Sequence, residues 1–334
     1  MKRATIASLC VLIPLCVMVP SAFAQSGETR TIPLVVMTRD GGIVSGLASQ
    51  NVQIKGLKGT VGNITPDTGP RRIVLLLDIS ASMEEPTYNQ QTGWQYAKEM
   101  VQTFLSGVRT QDSLALYVFA EKERQIVPLT RDFTSIRAAI DALPEPDSKR
   151  ARSAYGRTTR AGEALQAALL DLGQEPDPGD SAIFFSDGEL GNDESRHSLE
   201  SLTTVLGSRG VRVFLALALQ DGPNGRFALP YDFTIPAVSD SFGFMAETGG
   251  FSFTPAMFPV MPALPVCRMD PLERRVAALN AAVQGTYRVQ LQLKQPLRKR
   301  QDLELELLDN RRKEMHNVYL LYPHTLYPDL AKKP

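Results

Sequence analysis

The side chains best suited to chemistry are one acid and two hydroxyls at alternate positions, Asp78, Ser80 and Ser82. Three hard oxygen donors at this spacing on a turning loop can converge on one small, hard cation. Asp and Ser are also common in turns and at helix N-caps, so the same run is typical of a capped strand-to-helix loop. The motif alone leaves both interpretations open.

The segment before this motif predicts where it lies. Residues 73–77 form an uninterrupted apolar run that ends in Asp78, which is typical of a buried strand in a parallel sheet. Open α/β sheets bind ligands outside the carboxyl ends of their strands. We therefore expect the acid and the two hydroxyls to lie at such an edge.

Two later segments have the same character. A polar loop at 156–160 runs into a predicted helix and contains Thr158 and Thr159, and a second buried strand at 182–185 leads to Asp187. In this order, the three segments resemble the von Willebrand factor type A domain and its metal-ion-dependent adhesion site. That site combines Asp-x-Ser-x-Ser with a Thr and an Asp from two further loops. Thr159 fits the second position because Gly-Glu-Ala-Leu follows at the family's usual offset, and Thr158 is the alternative register.

The resemblance implies a Mg²⁺ or Mn²⁺ ion held by Asp78, Ser80, Ser82, Thr159 and Asp187. The two serines would bind through their hydroxyls, and the threonine would bind directly or through water. The two acids would accept hydrogen bonds from coordinating waters or hydroxyls. Because few protein charges would touch the metal, an open position could take an Asp or Glu carboxylate from a protein partner. The implied function is metal-dependent protein binding.

The surroundings of these acids disfavour an enzyme. The chain has three histidines, His197, His316 and His324, and none stands in a hydrolase arrangement with Asp78 or Asp187. Zinc-type His and Cys spacing is missing from the sequence, and no Gly-rich phosphate loop follows a strand. We expect a non-enzymatic protein.

Two charge runs flank the predicted site. The acids from Asp187 to Glu194 do not match calcium-loop spacing, so they favour a solvated loop and a helix N-cap. The basic residues from Lys149 to Arg160 are typical of a solvated loop. At the rim of a metal site they could also attract an acidic partner.

The N-terminus predicts export. Lys2 and Arg3 precede an apolar run over residues 4–19, and Ala22-Phe23-Ala24 then precedes Gln25. This is the pattern of a secretory signal peptide with cleavage after Ala24. The apolar run is short for a membrane span and no second one follows. We expect a periplasmic or extracellular protein with no transmembrane span in the mature chain.

Composition narrows the class of the mature protein. Loss of Lys2 and Arg3 from the 36 basic residues leaves 34 against 36 acidic residues, a net charge of −2. That balance argues against nucleic acid binding, which needs a marked basic excess. Cys267 is the one cysteine left, so an internal disulfide is excluded and we expect this thiol to be dispensable.

Pattern changes divide the chain into five parts: a signal peptide at 1–24, an N-terminal β-segment at 25–70, a type A domain at 71–254, a proline-rich linker at 255–271, and a C-terminal helix with strands at 272–334. Within the type A region, the patterns predict helices at 92–109, 132–143 and 161–172, a helix capped by Ser195, strands at 114–119, 183–185 and 211–219, an irregular loop at 220–241, a helix end at 244–250 and an edge strand at 251–253.

The fold class expected is α/β, a doubly wound, mostly parallel sheet flanked by a small antiparallel β-domain. Strict apolar alternation at 287–294 and 303–307, and a further strand at 318–322, predict that the C-terminal strands join those before Arg71 in that β-domain. The order resembles a bacterial group of exported proteins related to the same family. The competing interpretation is a structural or assembly scaffold whose β-domain or proline-rich segment makes metal-independent contacts.

Overall fold

The computed structural model describes residues 27–38, 42–85, 91–173, 177–189, 193–218, 244–253, 272–285, 287–316 and 318–328. The predicted signal peptide, the loop at 220–241 and the proline-rich segment with Cys267 lie outside these residues. Within the described ranges, no helix has both the length and the apolar character needed to cross a membrane.

The elements are labelled in chain order. The strands are β1 Glu28–Thr38, β2 Val52–Lys55, β3 Gly59–Pro66, β4 Arg72–Asp78, β5 Ser113–Phe119, β6 Glu123–Thr130, β7 Ser181–Ser186, β8 Arg212–Leu217, β9 Ser252–Phe253, β10 Tyr287–Leu293, β11 Gln301–Asp302, β12 Glu304–Leu307, β13 Val318–Leu321 and β14 Thr325–Leu326. The helices are α1 Gly93–Gly107, α2 Phe133–Asp141, α3 Lys149–Tyr155, α4 Ala161–Ala168, α5 Asp193–Arg209 and α6 Leu272–Gln284.

A six-stranded sheet forms the centre of the molecule. Its order is β6-β5-β4-β7-β8-β9, and all neighbours are parallel except β5 and β6. The chain runs outward from β4 to β5 and β6, then returns to the other side of β4 for β7, β8 and β9. The strand order therefore reverses between β4 and β7, the point where such sheets form ligand crevices.

The sheet is buried on both faces. Ile73, Leu75 and Leu77 pack on one side with α1, α2 and α6, whereas Val74 and Leu76 pack on the other with α4 and α5. Alternate residues of a strand point to opposite faces, which explains why a continuous apolar run is needed here. The expected doubly wound α/β fold is confirmed.

The strands at the two ends of the chain form antiparallel sheets. β1 pairs with β10 and β13, β10 pairs with β3, and β2 pairs with β12. Their apolar residues enclose a third core that includes Leu34, Val289, Leu291 and Leu307. Val35 on β1 packs instead with the α/β core, so this strand joins the two parts.

The buried side chain of Arg212, the first residue of β8, binds the end of α6 to the central sheet. Its guanidinium donates hydrogen bonds to the carbonyls of Ala282 (2.9 Å), Val283 (2.8 Å) and Gly179 (3.1 Å). The first two carbonyls lie at the C-terminus of α6, where a cation is favoured by the helix dipole.

Two local predictions were wrong, and one strand was missed. Ser195 is not a helix cap, because α5 includes Asp193 and so places Ser195 inside its first turn. Residues 149–155 form α3 rather than a solvated loop. Residues 123–130 form the edge strand β6, which no sequence pattern predicted because none of its side chains is fully buried. The order of the remaining strands follows the predicted alternation.

Candidate metal site

The carboxyl ends of β4 and β7 bring two acids together. Asp78 is the last residue of β4, and Asp187 directly follows β7. The two strands pair in parallel with Leu77 opposite Phe185, so the next position places Asp78 beside Ser186. Both acids are buried, with Asp78 fully so and Asp187 at 5 % exposure.

Both oxygens of Asp78 accept hydrogen bonds. Its Oδ1 accepts from the backbone amide of Ser80 (2.8 Å), and its Oδ2 accepts from the hydroxyl of Ser186 (2.7 Å). The Ser186 hydroxyl also lies 3.4 Å from Asp187 Oδ1 and accepts from the Gly188 amide at 3.1 Å. This serine therefore bridges the two acids and fixes their relative position.

The two motif serines lie beside this pair. The hydroxyl oxygens of Ser80 and Ser82 are 3.1 Å apart, and the Ser82 hydroxyl forms a hydrogen bond with Asp187. A short 3₁₀ turn, Ala81–Glu84, follows Ser80 and turns the chain so that both hydroxyls meet. The first motif and the acid after β7 thus share one hydrogen-bonded cluster.

The threonine loop reaches the same turn through its backbone. The Ala81 amide, between the two motif serines, donates to the carbonyl of Arg157 at 3.0 Å. Two residues later, Thr159 is buried at 7 % exposure, whereas Thr158 is exposed. Thr159 is thus the buried one of the two candidate threonines, and its role as a ligand stays a prediction.

Electrostatics makes this cluster unfavourable without a counter-ion. Burial and then the charge of Asp187 raise the pKa of Asp78. Burial likewise raises the pKa of Asp187, against the opposing effect of its hydrogen bond with Ser82. In the described part of the chain, no Lys, Arg or His forms an ion pair with either carboxylate, so the two buried acids repel each other when both are ionised.

The donor set suits a hard divalent cation. The cluster offers two carboxylates and two hydroxyls in mutual contact, all of them oxygen donors of the kind that Mg²⁺ and Mn²⁺ prefer. Across the described residues, no group of three or more His, Cys, Asp or Glu side chains could hold a metal. The two acids alone do not complete an octahedral shell, so hydroxyls or waters would fill further positions.

Comparison with known families agrees with this arrangement. A family model for the von Willebrand factor type A domain matches residues 73–189, the stretch that contains all five predicted site residues. Residues 73–189 form a von Willebrand factor type A domain. Domains of this family commonly mediate interactions between proteins.

Three solved structures are similar to this chain at low sequence identity. An aerotolerance-related membrane protein from Bacteroides fragilis is 16 % identical over 64 % of this chain and 98 % of its own, with a TM-score of 0.45. BatB from Bacteroides thetaiotaomicron is 17 % identical over 55 % and 88 %, with a TM-score of 0.40. A von Willebrand factor type A protein from Catenulispora acidiphila is 12 % identical over 92 % and 75 %, with a TM-score of 0.43. No curated protein matches the chain.

Sequence reasoning overlooked one residue of the type A site. Ser186 contacts both acids, yet the sequence motif assigns no role to it. The sequence gives one indication of its role, because Ser186 is the last residue of a buried strand and directly precedes Asp187. Only the register of β4 against β7 reveals that it faces Asp78.

Proposed function

We propose that this protein is an exported, non-enzymatic binding protein that uses its type A site to bind a protein partner through a divalent cation. The observation that carries the proposal is the burial of Asp78 and Asp187 side by side, with no basic side chain of the described chain paired to either. Buried charges are retained in proteins when they are paired or when they coordinate metals.

The residues proposed to hold the cation are Asp78, Ser80, Ser82, Thr159 and Asp187, with Mg²⁺ or Mn²⁺ as the ion. When bound, the ion would supply a positive centre that a carboxylate of the partner can join. The chain itself fixes the orientation of the Asp78 carboxylate, because this group accepts hydrogen bonds from the Ser80 amide and the Ser186 hydroxyl. If the two acids act through coordinating waters or hydroxyls, few protein charges touch the ion, and a carboxylate of the partner can fill an open position.

Two of the three histidines lie away from the proposed site. His324 stacks on Tyr322, with ring centroids 4.7 Å apart, and His316 lies 3.7 Å from Glu314. Both lie in the loops that flank β13. We propose a role without bond cleavage because the sequence shows no hydrolase arrangement of a histidine with Asp78 or Asp187.

Export is part of the proposal. The motivation is the charged start, apolar run and Ala22-Phe23-Ala24 of the first residues. N-terminal sequencing of protein recovered outside the cytoplasm should give Gln25 as the first residue. Recovery of a chain that still begins at Met1 would contradict export by cleavage.

Partner capture tests the binding function. Mature protein is immobilised and incubated with an envelope extract, with Mg²⁺ or with excess EDTA. We expect specific retention only with Mg²⁺, and we expect Asp78→Ala to abolish it. Asp302→Ala, which removes an exposed acid of β11, is the matched control and should retain the partner.

Two results would count against the proposal. Retention that survives EDTA and Asp78→Ala would favour the scaffold alternative, in which other surfaces make the contacts. Calorimetry with MgCl₂ and MnCl₂ gives a second test, because wild type and Asp302→Ala should bind cation and Asp78→Ala should not. Circular dichroism would show whether each variant is folded.

A further inference from the structure

Helix α3 and the loop after it carry an unusual charge density. The twelve residues from 149 to 160 contain five basic residues and no acid. We call this set the basic strip: Lys149, Arg150, Arg152, Arg157 and Arg160. The helix is held by the Ser148 side chain, which accepts from the Ala151 amide at 3.1 Å, and by Gly156, whose φ of +83° ends it.

The basic strip lies next to the type A site. The Arg157 carbonyl accepts from the Ala81 amide, between the two motif serines. The Asp147 amide, two residues before α3, donates to Glu84 Oε1 at 3.0 Å, and Glu84 belongs to the same 3₁₀ turn. Thr159 stands between Arg157 and Arg160 in the sequence. A ligand seated at the cation would therefore lie beside these basic side chains.

Three members of the strip have their charge available. Arg152 pairs with Asp147, and Arg160 lies 3.8 Å from Glu163. Lys149, Arg150 and Arg157 are exposed, and none forms an ion pair within the described ranges. These three cations are available to an incoming anion.

The acids nearest the strip are engaged or lie at its border. Glu84 accepts a hydrogen bond from the Asp147 amide, and Glu145 pairs with Lys98 at 3.2 Å. Glu121 borders the strip, because a Cβ at Gly156 would meet its side chain. Glu85 and Glu189 are exposed acids on the other loops of the site. The positive charge that is available to a ligand therefore lies on the basic strip itself.

We infer that the partner presents an acidic segment, in which one carboxylate joins the cation and further carboxylates contact the basic strip. This inference rests on the proposed function. Helix α3 has seven residues and is about 10 Å long, which matches about three residues of an extended peptide. A stretch of roughly four to six residues with several acids can therefore reach both the site and the strip. Complementary charge of this kind raises the association rate and selects against basic partners.

Two labelled peptides test the inference by fluorescence anisotropy. One is a Gly/Ser peptide with a single Asp, and the other has the same length with four Asp or Glu residues. With Mg²⁺ at low salt, wild-type mature protein should bind the four-acid peptide about tenfold more tightly than the single-acid peptide. The preference should shrink at high salt, since exposed charges are screened.

The deciding variant neutralises the available cations, Lys149→Gln, Arg150→Gln and Arg157→Gln together. It should bind the two peptides with affinities within about twofold of each other. The matched control is Arg298→Gln, Lys299→Gln and Lys313→Gln, which removes the same charge from exposed sites of the β-domain. The control should keep the preference, and circular dichroism should show both variants folded.

The outcomes separate this inference from the proposed function. Mg²⁺-dependent binding with equal affinity for both peptides would overturn the inference and leave the proposed function standing. Binding of the four-acid peptide that responds to the triple variant but not to EDTA would support the strip and overturn the metal role. An equal loss in the control variant, or no binding of the four-acid peptide at millimolar concentration, would overturn the inference.

Discussion

Replacing Asp78 with Asn should have opposite effects on stability and on cation binding. Asp78 is fully buried beside Asp187, and burial followed by the charge of Asp187 raises its pKa from 3.8 to about 8. The native state therefore holds a proton that the unfolded chain releases at neutral pH. For such a group, stability falls as pH rises between those two values.

The size of the effect follows from that interval. At pH 7, the whole interval from pH 3.8 to pH 7 contributes to the loss of stability. Each pH unit lowers the free energy of unfolding by about 1.4 kcal/mol. The carboxyl group thus lowers the free energy of unfolding by on the order of 4 kcal/mol when no cation is bound. Asn has the same shape and stays neutral, its Oδ1 can still accept from the Ser80 amide, and its Nδ2 can donate to Ser186. We expect Asp78→Asn to recover about 2–4 kcal/mol, a rise in Tm of roughly 5–10 °C.

The assay is urea unfolding followed by the fluorescence of Trp94, the only tryptophan in the chain and a fully buried one. In EDTA at pH 7, Asp78→Asn should be more stable than wild type. In saturating Mg²⁺, wild type should gain stability by binding linkage, about 2.7 kcal/mol at a hundred times Kd, and the variant should gain none.

Asp302→Asn serves as the control because Asp302 is exposed on β11. It should leave both stabilities close to wild type. A variant Asp78→Asn that is less stable than wild type in EDTA, or that still gains stability from Mg²⁺, would refute the reasoning about this buried pair.

Three further changes have defined outcomes. Ser186→Ala removes the hydroxyl that bridges the two acids. The Mg²⁺ affinity measured by calorimetry should therefore fall about tenfold or more while the protein stays folded. An unchanged affinity would show that Ser186 does not position the acids. His324 is partly buried, and that burial lowers its pKa. Stability in urea should therefore decline as pH falls below about 6.5, since the unfolded chain then binds the proton more readily. His324→Gln should flatten that slope, and an equal slope in the variant would place its origin elsewhere. Arg212→Met leaves the carbonyls at the end of α6 without their hydrogen-bond donor. It should lower the free energy of unfolding by about 3–5 kcal/mol. A change under about 1 kcal/mol would contradict the role of Arg212 in holding α6 to the sheet.

The central strands could be predicted because their sequences are nearly unambiguous. β4 and β7 are continuous apolar runs that end in Asp78 and at Ser186, and few structures other than a sheet buried on both faces need such runs. Placement of the two acids at one edge then followed from parallel strand order. The structure brings Asp78, Ser80, Ser82 and Asp187 into contact.

The register of β7 against β4, helix α3 and strand β6 were harder to predict from the sequence. The role of Ser186 depends on which residue of β7 faces the end of β4, and periodicity does not specify register between strands. Helix α3 was missed because its sequence is dominated by charge, with only Ala151 and Tyr155 buried. Its ends were readable, since Ser148 is a favoured N-cap residue and Gly156 a favoured stop. The exposed edge strand β6 includes Pro128 and lacks a strict alternation, so it resembles a loop in sequence.

The most direct test of the central claim is a crystal structure of the mature protein soaked in MnCl₂, with anomalous data that locate manganese. We expect one strong anomalous peak within bonding distance of the Ser80 and Ser82 hydroxyls and beside Asp78 and Asp187. The same experiment on Asp78→Asn should lose that peak. A fully occupied manganese elsewhere, with none at this cluster in the wild-type protein, would contradict the account.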